Sequence, residues 1–277
     1  MRLDAHQHFW HYDPVKDSWI TDEMSVLKRD FLPEHLMPEL AAHGLGGCIA
    51  VQADQSEKET LFLLELAESY PVIKGVVGWI DLRHESCLAR LDYFTQFSRL
   101  RGFRHIVQAE LDDNFMLRED FLRGIGYLKS LGFTYDILIY PRQLGAAIKL
   151  VEKYPDQPFV IDHIAKPLIK DKILAPWEQQ IKAIATNPNV YCKVSGLITE
   201  ADWHTWRPDD FKPYLDVVFA AFGTDRVMFG SDWPVCLLAG SYRQVIELIE
   251  GYTRDFTHEE KEKIFGLNAM RFYGIKV

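Results

Sequence analysis

The chain has 277 residues, 48% of them hydrophobic, and a formal net charge of −9. That is enough apolar material for one large core, so a single domain over residues 1–277 is expected. The acidic balance excludes nucleic acid, whose phosphates need clustered Lys and Arg, and argues against an anionic membrane surface, while a small acidic substrate stays compatible with it.

Leu3–Ala5 reads as a first strand and Pro33–His43 as the first helix. Gly47–Gln52 is a second strand, followed by the helix Glu57–Ser69 with Leu61, Leu64 and Leu66 on a Glu-rich background. Ile73–Ile80 and Gly102–Ile106 are strands around a helical Leu88–Leu100. Arg118–Leu131 is helical, Thr134–Ile139 a strand, Gln143–Tyr154 a helix, Phe159–Asp162 a strand, and Trp177–Asn187 a helix. Val190–Val194 and Arg226–Phe229 are the last strands, with helices at Phe211–Phe222 and Ser241–Tyr252. Thr257-His-Glu-Glu opens a final helix as a capping box.

Several strands are continuous apolar runs, as parallel strands covered on both faces should be. Eight strands alternating with helices give a closed barrel or a doubly wound sheet. No GxGxxG or GxxxxGK follows the first strand, so a nucleotide-binding open sheet loses support. Phe9–Leu32 and Leu197–Asp210 are longer than a barrel needs, and both fall on the C-terminal face, where barrel active sites form. The four cysteines, Cys48, Cys87, Cys192 and Cys236, form no CxxC pair, and reduced thiols are expected. No basic-then-apolar leader opens the chain and no apolar run approaches a membrane span, so a cytoplasmic location is expected.

His6 and His8 are two apart at a strand end, so both rings point to one side and suit one divalent ion. Taken alone, the pair reads more readily as hydrogen-bonded core histidines. Phe159-Val-Ile-Asp-His163 is an apolar strand ending in histidine; that ring could instead cap the next loop. Val227-Met-Phe-Gly-Ser-Asp232 ends in Ser-Asp, a common turn or cap. Each signal is weak alone. Together they place three His and one Asp at the C-terminal ends of strands one, six and eight. In a closed barrel strands one and eight are neighbours, so the groups converge.

These motifs carry a resemblance. Asp4-Ala-His-Gln-His-Phe-Trp10, Gly102-Phe-Arg-His105, Asp162-His-Ile-Ala-Lys-Pro167 and Phe229-Gly-Ser-Asp-Trp-Pro-Val235 are similar to the amidohydrolase superfamily. The likeness is to the branch of sugar-lactone lactonases and 2-pyrone-4,6-dicarboxylate lactonases, and it spans essentially the whole chain. It implies an α/β fold, a distorted (β/α)8 TIM barrel. It also implies addition of water to a lactone carbonyl, with Asp232 and His163 catalytic. His6, His8, His163 and Asp232 would hold one divalent metal, zinc by preference, although some lactonases of this branch work without an ion. Many superfamily members carry a bridging Lys or Glu at the end of strand four and a histidine ending strand five. Here those regions read Arg104-His105 and Asp136-Ile-Leu-Ile-Tyr140, so a binuclear site is not expected.

Asp232 as general base would take a proton from the attacking water and return it to the leaving alkoxide. A zinc ion would acidify that water toward a pKa of ~7; without one, the three histidines would orient it or stabilise the oxyanion. Arg104, His105 and Lys166 are candidate substrate contacts. Arg104 and Lys166 read equally well as ion-pair partners of Asp162 or Glu110. Trp10 and Trp233 could stack on a sugar ring; core packing is the simpler reading for Trp79. The expected partner is a small lactone of the L-fucono- or L-rhamnono- kind, and a homo-oligomer stays open. The rival readings are a pyrone dicarboxylate lactonase, a metal-dependent decarboxylase of the same superfamily, and a non-catalytic binding barrel.

Overall fold

The computed structural model describes residues 1–276. Eight parallel strands follow one another in chain order around the sheet. They are β1 (Arg2–Gln7), β2 (Leu45–Val51), β3 (Ile73–Gly78), β4 (Leu100–His105), β5 (Thr134–Ile137), β6 (Phe159–Ile161), β7 (Val190–Val194) and β8 (Val227–Phe229). The outer layer is α1 (Pro33–Ala42), α2 (Glu57–Ser69), α3 (Cys87–Phe94), α4 (Glu119–Leu128), α5 (Leu144–Lys153), α6 (Trp177–Ala185), α7 (Pro208–Phe222) and α8 (Tyr242–Tyr252). Two short helices, α9 (His258–Glu262) and α10 (Asn268–Phe272), end the chain. The sheet closes just beyond the strand ends: Gln7 bridges Trp233, and His8 N donates to Trp233 O at 2.7 Å. The expected (β/α)8 barrel is the fold.

Each strand buries two faces. Outward side chains such as Phe103, Tyr135, Ile161 and Val194 meet apolar helix stripes, for example Phe121, Ile125 and Leu128 of α4 at helical spacing. Inward, Leu3, Ala5, Ile49, Val51, Val77, Val160 and Met228 form a separate cluster in the lower half of the barrel. Ala269 and Phe272 of α10, with Tyr273, pack into that cluster and plug the closed end.

Two expected helices are shorter than their apolar spacing suggests. Leu88–Leu100 stops at Phe94, where the Thr95 hydroxyl donates to Asp92 O at 2.7 Å, and Leu100 instead begins β4. Arg118–Leu131 tightens after Leu128 and ends at Gly132, whose φ of 81° is a left-handed terminus. The Thr257 capping box is present, with Thr257 N donating to Glu260 Oε2 at 2.8 Å. All four cysteines are buried and unpaired. No helix among the described residues is long and apolar enough to cross a membrane.

Gly124 lets α4 lie directly on the segment after β3, for a Cβ there would stand 2.2 Å from Leu82 O. Alanine in place of a helical glycine ordinarily stabilises by about 1 kcal/mol. Gly124→Ala should instead destabilise by about 1–3 kcal/mol through overpacking against backbone. Gly145→Ala in α5, where nothing lies within 4 Å, should stabilise. Urea unfolding midpoints shifting in opposite directions are the expected result.

Candidate active site

The site begins with an irregularity in β1. From Asp4 to Gln7 three residue steps face only two on β2, from Cys48 to Ala50. An extra residue of this kind re-aims the side chains that follow. Leu3 and Ala5 point into the barrel, and the extra residue turns His6 inward as well. His8, two further on, shares its side, and the two rings approach to 3.2 Å between their Nε2 atoms.

Asp232 stands opposite. Its Oδ1 lies 3.4 Å from His8 Nε2, 3.9 Å from His6 Nε2 and 3.9 Å from His163 Nε2. The four expected residues therefore meet, all of them buried. Their other ring nitrogens are held from behind. His8 Nδ1 donates to Val51 O at 2.7 Å, which leaves Nε2 as the lone-pair atom. His163 Nδ1 meets Ser195 Oγ at 2.9 Å. His6 Nδ1 lies between Lys193 Nζ at 3.1 Å and Asp162 Oδ1 at 3.3 Å, so either tautomer of this ring has a partner. Protonated toward Asp162, it too presents an Nε2 lone pair, with Arg104 Nη1 3.3 Å away.

Those Nε2 atoms need something positive between them. Four ligands on a tetrahedral ion with bonds of about 2.1 Å stand about 3.4 Å apart. The spacings of 3.2, 3.4 and 3.9 Å among His6, His8 and Asp232 fit a divalent ion of that size. The protonation states fit too. Burial pushes the His163 imidazole down to about 4 and takes His6 well below its usual range. Burial raises the Asp232 carboxyl, but the imidazoles of His163, His8 and His6 outweigh it and hold the group below the ordinary carboxylate range. An ionised carboxylate facing neutral imidazoles is the form that binds a cation or accepts a proton.

The backbone here is strained. His163, Ile164, Ala165 and Lys166 all have left-handed φ, from 48° to 60°, and Asp232 has φ 58°. Non-glycine residues in that region cost about 1–2 kcal/mol each. The turn is held by Lys166 N donating to His163 O at 2.8 Å and by Trp177 Nε1 donating to Ile164 O at 2.7 Å. It aims His163 at Asp232 and swings Lys166 over the mouth.

Beneath the histidines the barrel interior is charged. Arg104, Asp136, Asp162 and Lys193 come from β4, β5, the end of β6 and β7, and all point inward and are buried. Arg104 Nη1 reaches Asp162 Oδ2 at 3.0 Å and His6 Nε2 at 3.3 Å, and its Nη2 donates to Gln52 O. The ion pair with Asp162 is thus realised, and Arg104 braces His6 from below. His105 alternates with it and faces outward, stacked on Phe115 at 4.7 Å and bonded to Glu110 at 2.7 Å. Of these two expected substrate contacts, Arg104 lies against the converging residues and His105 is turned away from them. Trp10 and Trp233 are both buried and pack edge-on against Phe31. The long first loop folds down over the barrel rim, and both rings lie in the hydrophobic core, where packing accounts for them. Half-buried Trp79 donates to His105 Nδ1 at 3.2 Å. Lys166 does sit at the mouth; it pairs with Glu200 at 3.1 Å, not with Asp162 or Glu110, and lies over the Tyr140 ring.

Asp136, Lys193, Ser195 and Glu200 are not singled out by motif. The first two do leave a signal, each being a lone charge inside a short apolar strand (Tyr-Asp-Ile, Cys-Lys-Val). Asp4 also carries weight. Its carboxylate accepts from His6 N at 3.1 Å, Ser231 N at 2.9 Å and Tyr242 OH at 3.0 Å, tying β1 to the loop that bears Asp232. A separate cavity of about 950 Å³ lies beside α7 and α8, lined by Trp203, Trp206 and Tyr252 among others; none of the converging residues lines it.

An eight-stranded parallel barrel with inward His6, His8 and His163 facing Asp232 at its C-terminal mouth has the form of a hydrolytic metal-site barrel. Residues 3–275 match the amidohydrolase family, and the chain belongs to it. It is 41% identical to an L-fucono-1,5-lactonase of Burkholderia multivorans, over 99% of this chain and 96% of that protein. It is 33% identical to an L-fucono-1,5-lactonase of Burkholderia ambifaria, over 99% of this chain and 96% of that protein. A crystal structure of a Burkholderia multivorans amidohydrolase with bound zinc superposes with a TM-score of 0.96 at 41% identity, covering both chains fully.

Gly196 makes room for His163. Its φ is 61°, and a Cβ there would lie 2.5 Å from His163 Nδ1. Gly196→Ala should displace the ring and lower turnover at least tenfold, an effect of about 1.4 kcal/mol or more. Circular dichroism should show the fold retained. Unchanged turnover would mean that the ring position does not matter.

Proposed function

We propose that this protein hydrolyses a sugar-acid lactone, of the L-fucono-1,5-lactone or L-rhamnonolactone kind, to the open acid. One observation carries the reading: Asp232 Oδ1 lies within 4 Å of three imidazole Nε2 atoms at the barrel mouth. The relatives named as L-fucono-1,5-lactonases supply the substrate class.

Asp232 takes a proton from water as that water adds to the lactone carbonyl. The tetrahedral adduct collapses by breaking the ring C–O bond, and Asp232 returns the proton to the departing alkoxide oxygen. His6, His8 and Asp232, which come together within ligand range, would hold a single divalent ion with His163 beside them, zinc by analogy with the Burkholderia multivorans structure. Such an ion, when bound, supplies Lewis acidity toward water and carbonyl oxygen. Lys166, set by Glu200 and Tyr140, donates to substrate oxygens at the rim.

The mouth cations favour an uncharged lactone over a pyrone dicarboxylate. Lys166 pairs with Glu200, Arg83 with Asp81 at 2.9 Å, and Arg142 with Asp113. Each is already neutralised by an acid, so none is left to clamp a substrate carboxylate. A polyhydroxy ring needs mixed donors and acceptors, which paired charges supply.

The purified protein, with added zinc or with chelator, is offered a panel of aldonolactones and 2-pyrone-4,6-dicarboxylate in weak buffer with a pH indicator. Acid release should be fastest with L-fucono-1,5-lactone and near background with the dicarboxylate. Spontaneous rates on every aldonolactone would sink the assignment. Asp232→Asn should lower kcat by about 10²–10⁴, the usual worth of a general base. Near wild-type turnover in that variant would rule Asp232 out as the general base.

A further inference from the structure

Below the converging imidazoles, one side-chain ammonium occupies what has the makings of a cation site. Lys193 Nζ is 2.5 Å from Asp136 Oδ2, 3.0 Å from Asp162 Oδ1 and 3.1 Å from His6 Nδ1. Carboxylate oxygens and imidazole nitrogens are the donors that hold divalent ions. Lys193, Asp136, Asp162 and His6 are all fully buried. Asp136 Oδ1 receives no hydrogen bond from any described protein group, so acceptor capacity is left over on that carboxylate. Tyr273 OH donates to Asp136 Oδ2 at 2.7 Å, and Arg104 closes the far side of Asp162.

The charge count points the same way. Three carboxylates, Asp136, Asp162 and Asp232, face two fixed cations, Lys193 and Arg104. The excess of one negative charge accepts one divalent ion at His6, His8, His163 and Asp232. A second would leave a strong positive excess in a region closed to solvent, with two metal ions and an ammonium repelling across a few ångströms.

We propose that Lys193 is a built-in cation filling a second metal position, and that it limits this barrel to one divalent ion. The inference rests on the metal reading above and not on the lactone. Without the ammonium, Asp136 and Asp162 become a buried carboxylate pair that takes up a second divalent ion.

The test counts ions. Wild type, Lys193→Gln and Lys193→Met are stripped with chelator, reloaded with excess zinc, freed of unbound metal and assayed by plasma mass spectrometry. Wild type should hold one zinc per chain and both variants two. The double variant Lys193→Gln/Asp136→Asn, which loses half of the donor pair, should return to one. Thermal melting provides a readout for variants that fold poorly without metal. Their Tm should rise in two saturable steps on zinc titration, against one step for wild type. Two ions or none in the wild type, one ion in the single variants, two in the double variant, or variants that zinc does not recover would each overturn the proposal. A wild type that binds one ion yet opens no lactone would sink the function assigned above and leave this inference standing.

Discussion

Asp232 donates its backbone N–H to His6 O at 2.8 Å, across the seam where the first and last strands meet. That bond, with Asp4 reaching from β1 to Ser231 N and Tyr242 OH, joins the start of the chain to its final quarter. Nothing else in the site would be in place without it. His6 and His8 lie on one side of the seam and Asp232 on the other, and the carboxylate finds the imidazoles only because the barrel is closed. Asp4 is ill at ease there: burial raises its carboxyl to about 6. Its three hydrogen bonds offset that burial and hold two loops that each carry a functional group.

Closing a barrel also creates an interior, and this one is divided. The lower half is apolar and plugged by α10. The upper half carries Arg104, Asp136, Asp162 and Lys193, which no helix or solvent could otherwise neutralise. Burying an isolated charge is prohibitive, and burying paired charges is tolerable when their geometry is good. Burial also raises Asp162, yet Lys193, with His6 and Arg104, holds it well below the ordinary carboxylate range. The paired layer serves as a rigid floor for the histidines. It fixes the orientation of His6 from behind, much as outer-shell partners orient metal-binding histidines generally.

Strain is concentrated in the same place. Of the six non-glycine residues with left-handed backbone among the described residues, five are His163 to Lys166 and Asp232, and two of the four converging side chains are among them. Such conformations persist only where surrounding contacts over-determine them, and they cluster where side chains must be aimed. Gly196, with its missing Cβ, is the counterpart that lets the His163 ring settle. At the rim, by contrast, the cations are paired and half exposed, which suits recognition of hydroxyls by a mouth that stays close to neutral.

The sequence by itself determined the alternation of apolar runs and amphipathic stretches, and with it eight strands and their order; alternation left a closed barrel or a doubly wound sheet, and the resemblance of the motifs pointed to the barrel. It also determined which ends of which strands bear His6, His8, His163 and Asp232, because strand periodicity and chain order suffice for that. It could not reveal the extra residue between Asp4 and Gln7, since a bulge is a matter of pairing between strands. Nor could it tell which of Arg104 and His105 faces inward, because alternation gives two phases and only the neighbours choose one. Trp10 and Trp233 belong to the core because the long first loop folds back on the rim, a path that local spacing does not encode. Lys193 and Asp136 were visible only as misplaced charges in apolar strands. That they meet each other, 57 residues apart, was decided by the tertiary structure, where each buried charge is tolerable only beside the other.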